Sequence, residues 1–223
     1  MQMTAIQPDG FLALPSSGSG AGVLVLHAWW GLNSTVKALC SRLAEAGFVA
    51  FAPDLYHGKV AHDIAAAEAL SRELFDNLEA ARSEVAASAA VLNRDARTMG
   101  EGLAVIGLSL GAFLALDVSV SAPDAIRLVV TFYGTRPGDY HASRAEYLAH
   151  FADEDEFEPQ SEVDALREAL TRAGRPASFH VYAGTRHWFF EADRQEYHPA
   201  AAALAWERTL SFLRRSPGVQ GTT

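Results

Sequence analysis

One cysteine, Cys40, in 223 residues excludes an internal disulfide framework and fits a reducing compartment. Positive charge is also scarce. With 18 Lys and Arg against 27 Asp and Glu, the formal charge is -9. Nucleic acid and anionic membrane surfaces both demand clustered basic residues, so neither is expected as a partner. No apolar run approaches the length that crosses a bilayer. Residues 1–10 are polar and lack the basic stretch and apolar core of a secretory leader. No phosphate-binding loop, cofactor motif or metal-ligand cluster stands out, so no cofactor and no metal is expected. Together these absences predict a cytoplasmic protein, a monomer or homodimer, whose partner is a small molecule.

What is present suits one well-buried core: 49% of residues are hydrophobic and 20% charged. Short apolar runs alternate with helical patterns. Residues 10–15 read as an edge strand, followed by a Ser-Ser-Gly-Ser-Gly turn at 16–20. Val23-Leu24-Val25-Leu26 is continuously apolar, as a strand buried on both faces must be. Asn33 or Ser34 caps a helix running to about 46, with Val36, Leu39, Cys40 and Leu43 at helical spacing, and Gly47 ends it. Further strands are predicted at 49–52, 103–106, 127–132, 145–151 and 177–181. Helices are predicted over 62–94 (as two), 112–120, 161–173 and 200–214. With neither repeat nor linker, the expectation is a single α/β domain over 1–223, a mostly parallel twisted sheet covered by helices on both faces. A disordered tail is expected at 216–223.

Gly107-Leu108-Ser109-Leu110-Gly111 is a G-x-S-x-G sequence between an apolar strand and an apolar helix. A serine forced into a sharp strand-to-helix turn holds its hydroxyl clear of the backbone, and glycines on either side permit the crowding. The N–H of Leu110, opening the helix, would face an oxyanion formed on a substrate. Active groups in parallel sheets gather at the carboxyl ends of strands, so the partners of Ser109 belong just after later strands. His187 follows the strand ending near Tyr182 by an Ala-Gly-Thr-Arg loop and is the base candidate. Asp155 is the acid candidate, with Asp153 in the same acidic run as the alternative. The order Ser109, Asp155, His187 is that of an α/β-hydrolase triad. His27 is read as ordering the loop that follows its strand. His57, His62, His141, His150, His180 and His198 are read as loop or surface groups, and Cys40 as an inert core thiol.

Several segments together resemble the dienelactone hydrolase family. They are Gly10 to Pro15, His27-Ala28-Trp29-Trp30-Gly31-Leu32-Asn33, Pro53-Asp54-Leu55-Tyr56, the elbow at 107–111, Phe132-Tyr133-Gly134, Asp155-Glu156-Phe157-Glu158-Pro159, and His187 to Phe190. The closing pattern from Ala202 to Leu213 agrees. The resemblance implies a small α/β-hydrolase without a large lid domain, acting on an ester or lactone. It also implies a second oxyanion donor, the N–H of Trp29. Two departures stand out. The family's elbow nucleophile is a cysteine, where this chain has Ser109. A glutamate that helps generate the thiolate is expected where Ala28 stands. Serine cannot be stored as an anion, so a histidine must take its proton during attack, and losing both features together is chemically coherent.

Trp29, Trp30, Tyr56, Tyr133, Trp188 and Phe189 all fall in loops expected near the serine. Trp30, Tyr133 and Trp188 are assigned to the substrate pocket, Tyr56 and Phe189 to structure. The resemblance implies an arginine, shortly after the histidine, that holds a substrate carboxylate; Glu191 stands there and would repel an anion. Arg136, Arg186 or Arg194 could compensate. The expected activity is hydrolysis of a small carboxylic ester or lactone through an acyl-enzyme. The alternatives are a non-catalytic binding protein, or an acyltransferase or peptidase, on the same scaffold.

Overall fold

The computed structural model describes residues 9–95 and 97–215. The expected tail at 216–223, and most of the stretch read for a leader, lie outside them. In chain order the strands are β1 (Gly10–Ala13), β2 (Gly20–Leu26), β3 (Val49–Pro53), β4 (Thr98–Leu108), β5 (Ile126–Phe132), β6 (Glu146–Glu154) and β7 (Ala177–Arg186). The helices are α1 (Ser34–Glu45), α2 (Ile64–Asp76), α3 (Leu78–Arg94), α4 (Leu110–Ser121), α5 (Gln160–Arg172) and α6 (Pro199–Leu213). One seven-stranded sheet runs in the order β1-β3-β2-β4-β5-β6-β7. Only β1, at the edge, is antiparallel to its neighbour.

Strand β2 explains the layering. Val23 and Val25 face one core cluster, while Leu24 and Leu26 face the other, and all four are fully buried. Alternate side chains point to opposite sheet faces, so a strand covered on both must be apolar throughout. The first cluster packs Leu39 and Leu43 of α1 and Ala205 and Phe212 of α6 onto the sheet. The second packs Val85 and Leu92 of α3, Leu114 and Val118 of α4, and Val163 and Leu166 of α5. Burying one such side chain contributes about 1.5–3 kcal/mol. Cys40 lies wholly buried on α1, and burial pushes its thiol up to about 12, which leaves it unreactive.

Two strands run further than their apolar content suggests. β6 continues through Asp153 and Glu154, and β7 through Gly184 and Thr185 to Arg186, with Glu154 still in register with Arg186. His187 therefore follows the end of β7 directly rather than a four-residue loop. Two histidine readings also need correction. His150 is a fully buried residue of β6, with Nδ1 2.8 Å from the Tyr182 hydroxyl and Nε2 3.1 Å from Thr209 Oγ1. Its hydrogen-bonding ring is sheltered against Phe132, and burial lowers its pKa well below the ordinary range. His180 is a half-buried residue of β7. His198 does lie in the loop before α6, where it caps the helix, its Nδ1 accepting from the Ala201 N–H at 3.2 Å.

Asp117 of α4 fastens the elbow helix to its surroundings. Its Oδ1 accepts from Arg82 Nη2 at 2.9 Å and from Arg136 Nε at 2.9 Å, so a buried carboxylate binds α3 and the loop after β5 together.

Glycine at 111 is demanded by space: a Cβ there would lie 2.1 Å from the Leu26 carbonyl oxygen. Gly174, after α5, has φ +65° but open space around its missing Cβ. Urea unfolding should therefore separate two alanine variants. Gly111→Ala should lose at least about 1–3 kcal/mol through overpacking against backbone, and Gly174→Ala only about 1 kcal/mol through strain. Equal losses would contradict the close approach of β2 and α4.

Candidate active site

Ser109 stands between the last residue of β4 and the first of α4, at φ 50° and ψ -113°. That conformation costs a non-glycine residue about 1–3 kcal/mol and persists only where its surroundings impose it. Its N–H donates to the Phe132 carbonyl at 2.9 Å, and its carbonyl accepts from the Ala112 N–H at 2.7 Å. The backbone is thus held from both sides while the side chain is left free. Four non-glycine residues have positive φ among those described: His57, Ser109, Tyr133 and Trp188. The last three all lie around one point.

Ser109 Oγ lies 2.9 Å from His187 Nε2. His187 Nδ1 lies 2.9 and 2.8 Å from the two carboxylate oxygens of Asp155. The side chains of His187 and Asp155 are almost wholly buried. Asp155 Oδ1 also accepts from the Phe157 and Glu158 N–H groups, at 2.9 and 3.1 Å. With its carboxylate so fixed, the neutral imidazole carries its proton on Nδ1, and Nε2 is free to accept from the serine hydroxyl. Asp153, the alternative acid, instead accepts from the Gly184 N–H at 3.2 Å.

His27 follows β2, fully buried, with Nδ1 2.8 Å from the Ala28 carbonyl oxygen. Burial lowers its pKa, and the short contact assigns Nδ1 as the protonated donor. The Ala28 carbonyl also accepts from the Gly31 N–H at 3.2 Å. In a planar trans peptide, the N–H of the next residue points opposite to such a carbonyl, so the direction of the Trp29 N–H is determined.

Around His187 stand three aromatic rings, Tyr133 at 4.8 Å, Phe157 at 5.0 Å and Trp188 at 5.0 Å between centroids. Tyr133 is fully buried, and Trp30 and Trp188 nearly so, their rings 5.3 Å apart. Tyr56 and Phe189 are buried too. Phe157, 40% exposed, is the open aromatic beside the histidine, and it also meets the partly exposed Trp29 at 5.7 Å. Sequence reasoning did not single out Phe157; its place two residues after the candidate acid was the available signal.

The arginines proposed to meet a substrate carboxylate are each engaged. Arg136 pairs with Asp117, Arg186 reaches Glu154 at 3.5 Å, and Arg194 reaches Asp193 at 2.7 Å while lying over the Trp30 ring. Two acids beside the site are unusual. Glu158 is mostly buried, accepts from the Thr135 N–H and Oγ1, and burial raises its pKa to about 7. Glu191 is fully buried and its Oε1 accepts from the Tyr133 hydroxyl at 2.7 Å; burial raises it as well, to about 7.

A parallel sheet with a strained serine at a strand-to-helix turn, and a histidine and acid after later strands, defines the class as an α/β-hydrolase. The model of the dienelactone hydrolase family matches residues 9–216, and the chain belongs to that family; it is a carboxylic ester hydrolase. Protein usf of Aquifex pyrophilus is 32% identical over 96% of this chain and 95% of its own length. A protein of Aquifex aeolicus provisionally named carboxymethylenebutenolidase is 28% identical over the same shares. Among solved structures, a provisionally named dienelactone hydrolase from Klebsiella pneumoniae superposes with a TM-score of 0.81 at 24% identity, covering 92% of each chain. A dienelactone hydrolase-like promiscuous phosphotriesterase from metagenomic libraries gives 0.82 at 20%, covering 93% of this chain and 92% of its own. No described helix is long and apolar enough to cross a membrane.

The raised Glu191 pKa carries a stability consequence. Its folded value of about 7 lies above the ordinary 4.5, so the folded state retains a proton that the unfolded state releases. Folding is therefore unpenalised below pH 4.5 and loses up to about 3 kcal/mol as pH rises toward and past 7. Glu191→Gln keeps an acceptor for Tyr133 without the charge. Its stability relative to wild type should climb by that order between pH 4.5 and 8 in urea titrations; a pH-independent difference would contradict the assignment.

Proposed function

We propose that this hydrolase is a serine esterase or lactonase that cleaves small, neutral carboxylic esters through a Ser109–His187–Asp155 triad and an acyl-enzyme. The observation that carries the reading is the unbroken hydrogen-bond chain from Ser109 Oγ through His187 to Asp155. In the first half-reaction His187 Nε2 takes the hydroxyl proton as Oγ attacks the carbonyl carbon. Asp155 holds the Nδ1–H tautomer and stabilises the imidazolium that forms. The tetrahedral oxyanion is received by the N–H groups of Leu110 and Trp29, the former at the positive end of α4, each such donor being worth about 10²–10³ in turnover. The imidazolium then protonates the leaving alkoxide. Water enters, loses its proton to His187, and hydrolyses the acyl-enzyme by the same steps in reverse order.

The neutral substrate follows from the charges. Arg136, Arg186 and Arg194 each face a carboxylate of the protein, and Glu191 stands behind Tyr133. A substrate carboxylate would meet no unengaged cation among these residues. Phe157 and Trp29 offer apolar surface for the acyl or ring portion, with Trp30, Tyr133 and Trp188 forming the wall beneath.

Two experiments test the reading. Intact-mass spectrometry after fluorophosphonate treatment should find one adduct on wild type and none on Ser109→Ala, whose ester turnover should fall by about 10³-fold or more. A folded wild type that takes no adduct would instead favour a non-catalytic binding protein. Ser109→Cys should still bind esters yet hydrolyse them at least about tenfold more slowly, because Ala28 supplies no carboxylate to generate a thiolate. Wild-type rates in Ser109→Cys would overturn the serine-specific account.

A further inference from the structure

Glu191 is the buried acid that the mechanism leaves unused. It follows the aromatic segment after β7, with no exposed surface. One oxygen accepts from the Tyr133 hydroxyl at 2.7 Å, and the other, Oε2, has no hydrogen-bond partner among the described residues. A buried carboxyl with one oxygen unsatisfied is expensive to keep and invites a functional explanation. Tyr133 itself sits at φ 37°, a strained conformation for a tyrosine, held by its N–H donating to the His150 carbonyl at 2.7 Å. That strained backbone delivers the phenol to Glu191 and the ring to His187, 4.8 Å away. Glu191 also borders a cleft of about 540 Å³ with Thr35, Arg42, Asp193 and Tyr197.

Resting on the serine-hydrolase reading above, we infer that Glu191 is a positioning residue: through Tyr133 it orients His187 and, when ionised, stabilises the imidazolium formed during attack. The path has two links. A carboxylate accepting from a phenol makes a short, charge-assisted hydrogen bond in a low-dielectric interior, which enriches the ring in electron density. That ring lies against the imidazole, where an electron-rich aromatic favours the cation over the neutral form. Asp155 acts on Nδ1 in the ring plane; the Tyr133–Glu191 pair acts on the ring from the side. The charged and titratable groups around Glu191 are Tyr133 from the β5 loop, Asp193, Arg194, Glu196 and Tyr197 from its own segment, and Arg42 of α1 across the cleft. Burial keeps the carboxyl near its ionisation point at neutral pH, so the assistance is complete only on the alkaline side.

The test uses Glu191→Gln and Tyr133→Phe, both chosen to preserve volume, with circular dichroism to verify folding. For a small activated ester, kcat/KM of Glu191→Gln should fall by about three- to tenfold on its plateau with KM little changed. Its acid limb should move to lower pH, since the imidazolium has lost a stabilising charge. Tyr133→Phe should move both in the same direction. A merely structural role would lower the plateau without moving the acid limb. The second readout needs no turnover: the His187 ring titration, followed by NMR, should shift to lower pH in both variants. Unchanged His187 titrations would overturn the inference even in an active enzyme. If wild type hydrolyses no ester at all, the hydrolase reading fails, and the NMR titration still decides whether Glu191 acts on His187.

Discussion

The close approach of α4 to the ends of β2 and β5 is the constraint on which the rest of the site depends. A Cβ at Gly107 would stand 2.2 Å from the Gly111 carbonyl oxygen, and one at Gly134 would stand 2.6 Å from that of Ser109. Backbone therefore touches backbone on both sides of the elbow. That crowding forces Ser109 into its positive-φ conformation and turns its Oγ toward the carboxyl edge of the sheet. Everything else is arranged with respect to that hydroxyl. β6 and β7 lie side by side, so the residues just beyond their ends, Asp155 and His187, meet without any loop having to reach. Rigid strands supply the precision, and short segments past their ends carry the candidate site's side chains.

Much of this was legible in the sequence for a physical reason. Strands buried on both faces must be continuously apolar, and Val23 to Leu26 or Val105-Ile106 cannot be read as anything solvated. The elbow was legible because its two flanking glycines answer a steric demand that few other turns make. Less legible were the outer halves of β6 and β7. There residues such as Glu154 and Arg186 carry no hydrophobic signal although they are still in register across the two strands. His150 shows the opposite difficulty. A histidine inside a strand reads as a break in the pattern, because the groups that satisfy it, Tyr182 and Thr209, lie 32 and 59 residues away.

The Tyr133–Glu191 contact was hidden for the same reason, its partners being 58 residues apart. Read along the chain, Glu191 was a charge that would repel an anionic substrate. In three dimensions it is enclosed and turned toward Tyr133. Arg194 is drawn to Asp193 and laid over Trp30, so its charge is taken up inside the protein. The proposal of a neutral substrate thus rests on cations paired within the protein more than on an exposed carboxylate.

The same region gathers several features that oppose folding. Ser109, Tyr133 and Trp188 hold strained backbones, and Glu158 and Glu191 keep carboxyls where burial disfavours their charge. Each strained residue costs about 1–3 kcal/mol, which is a sizeable share of an ordinary domain's stability. A sheet sealed on both faces by helices can bear such a load, and a looser one could not. The two apolar layers therefore matter to the candidate site as much as the proposed triad does: they hold the serine in a conformation, and the acids in an environment, that neither would adopt in water.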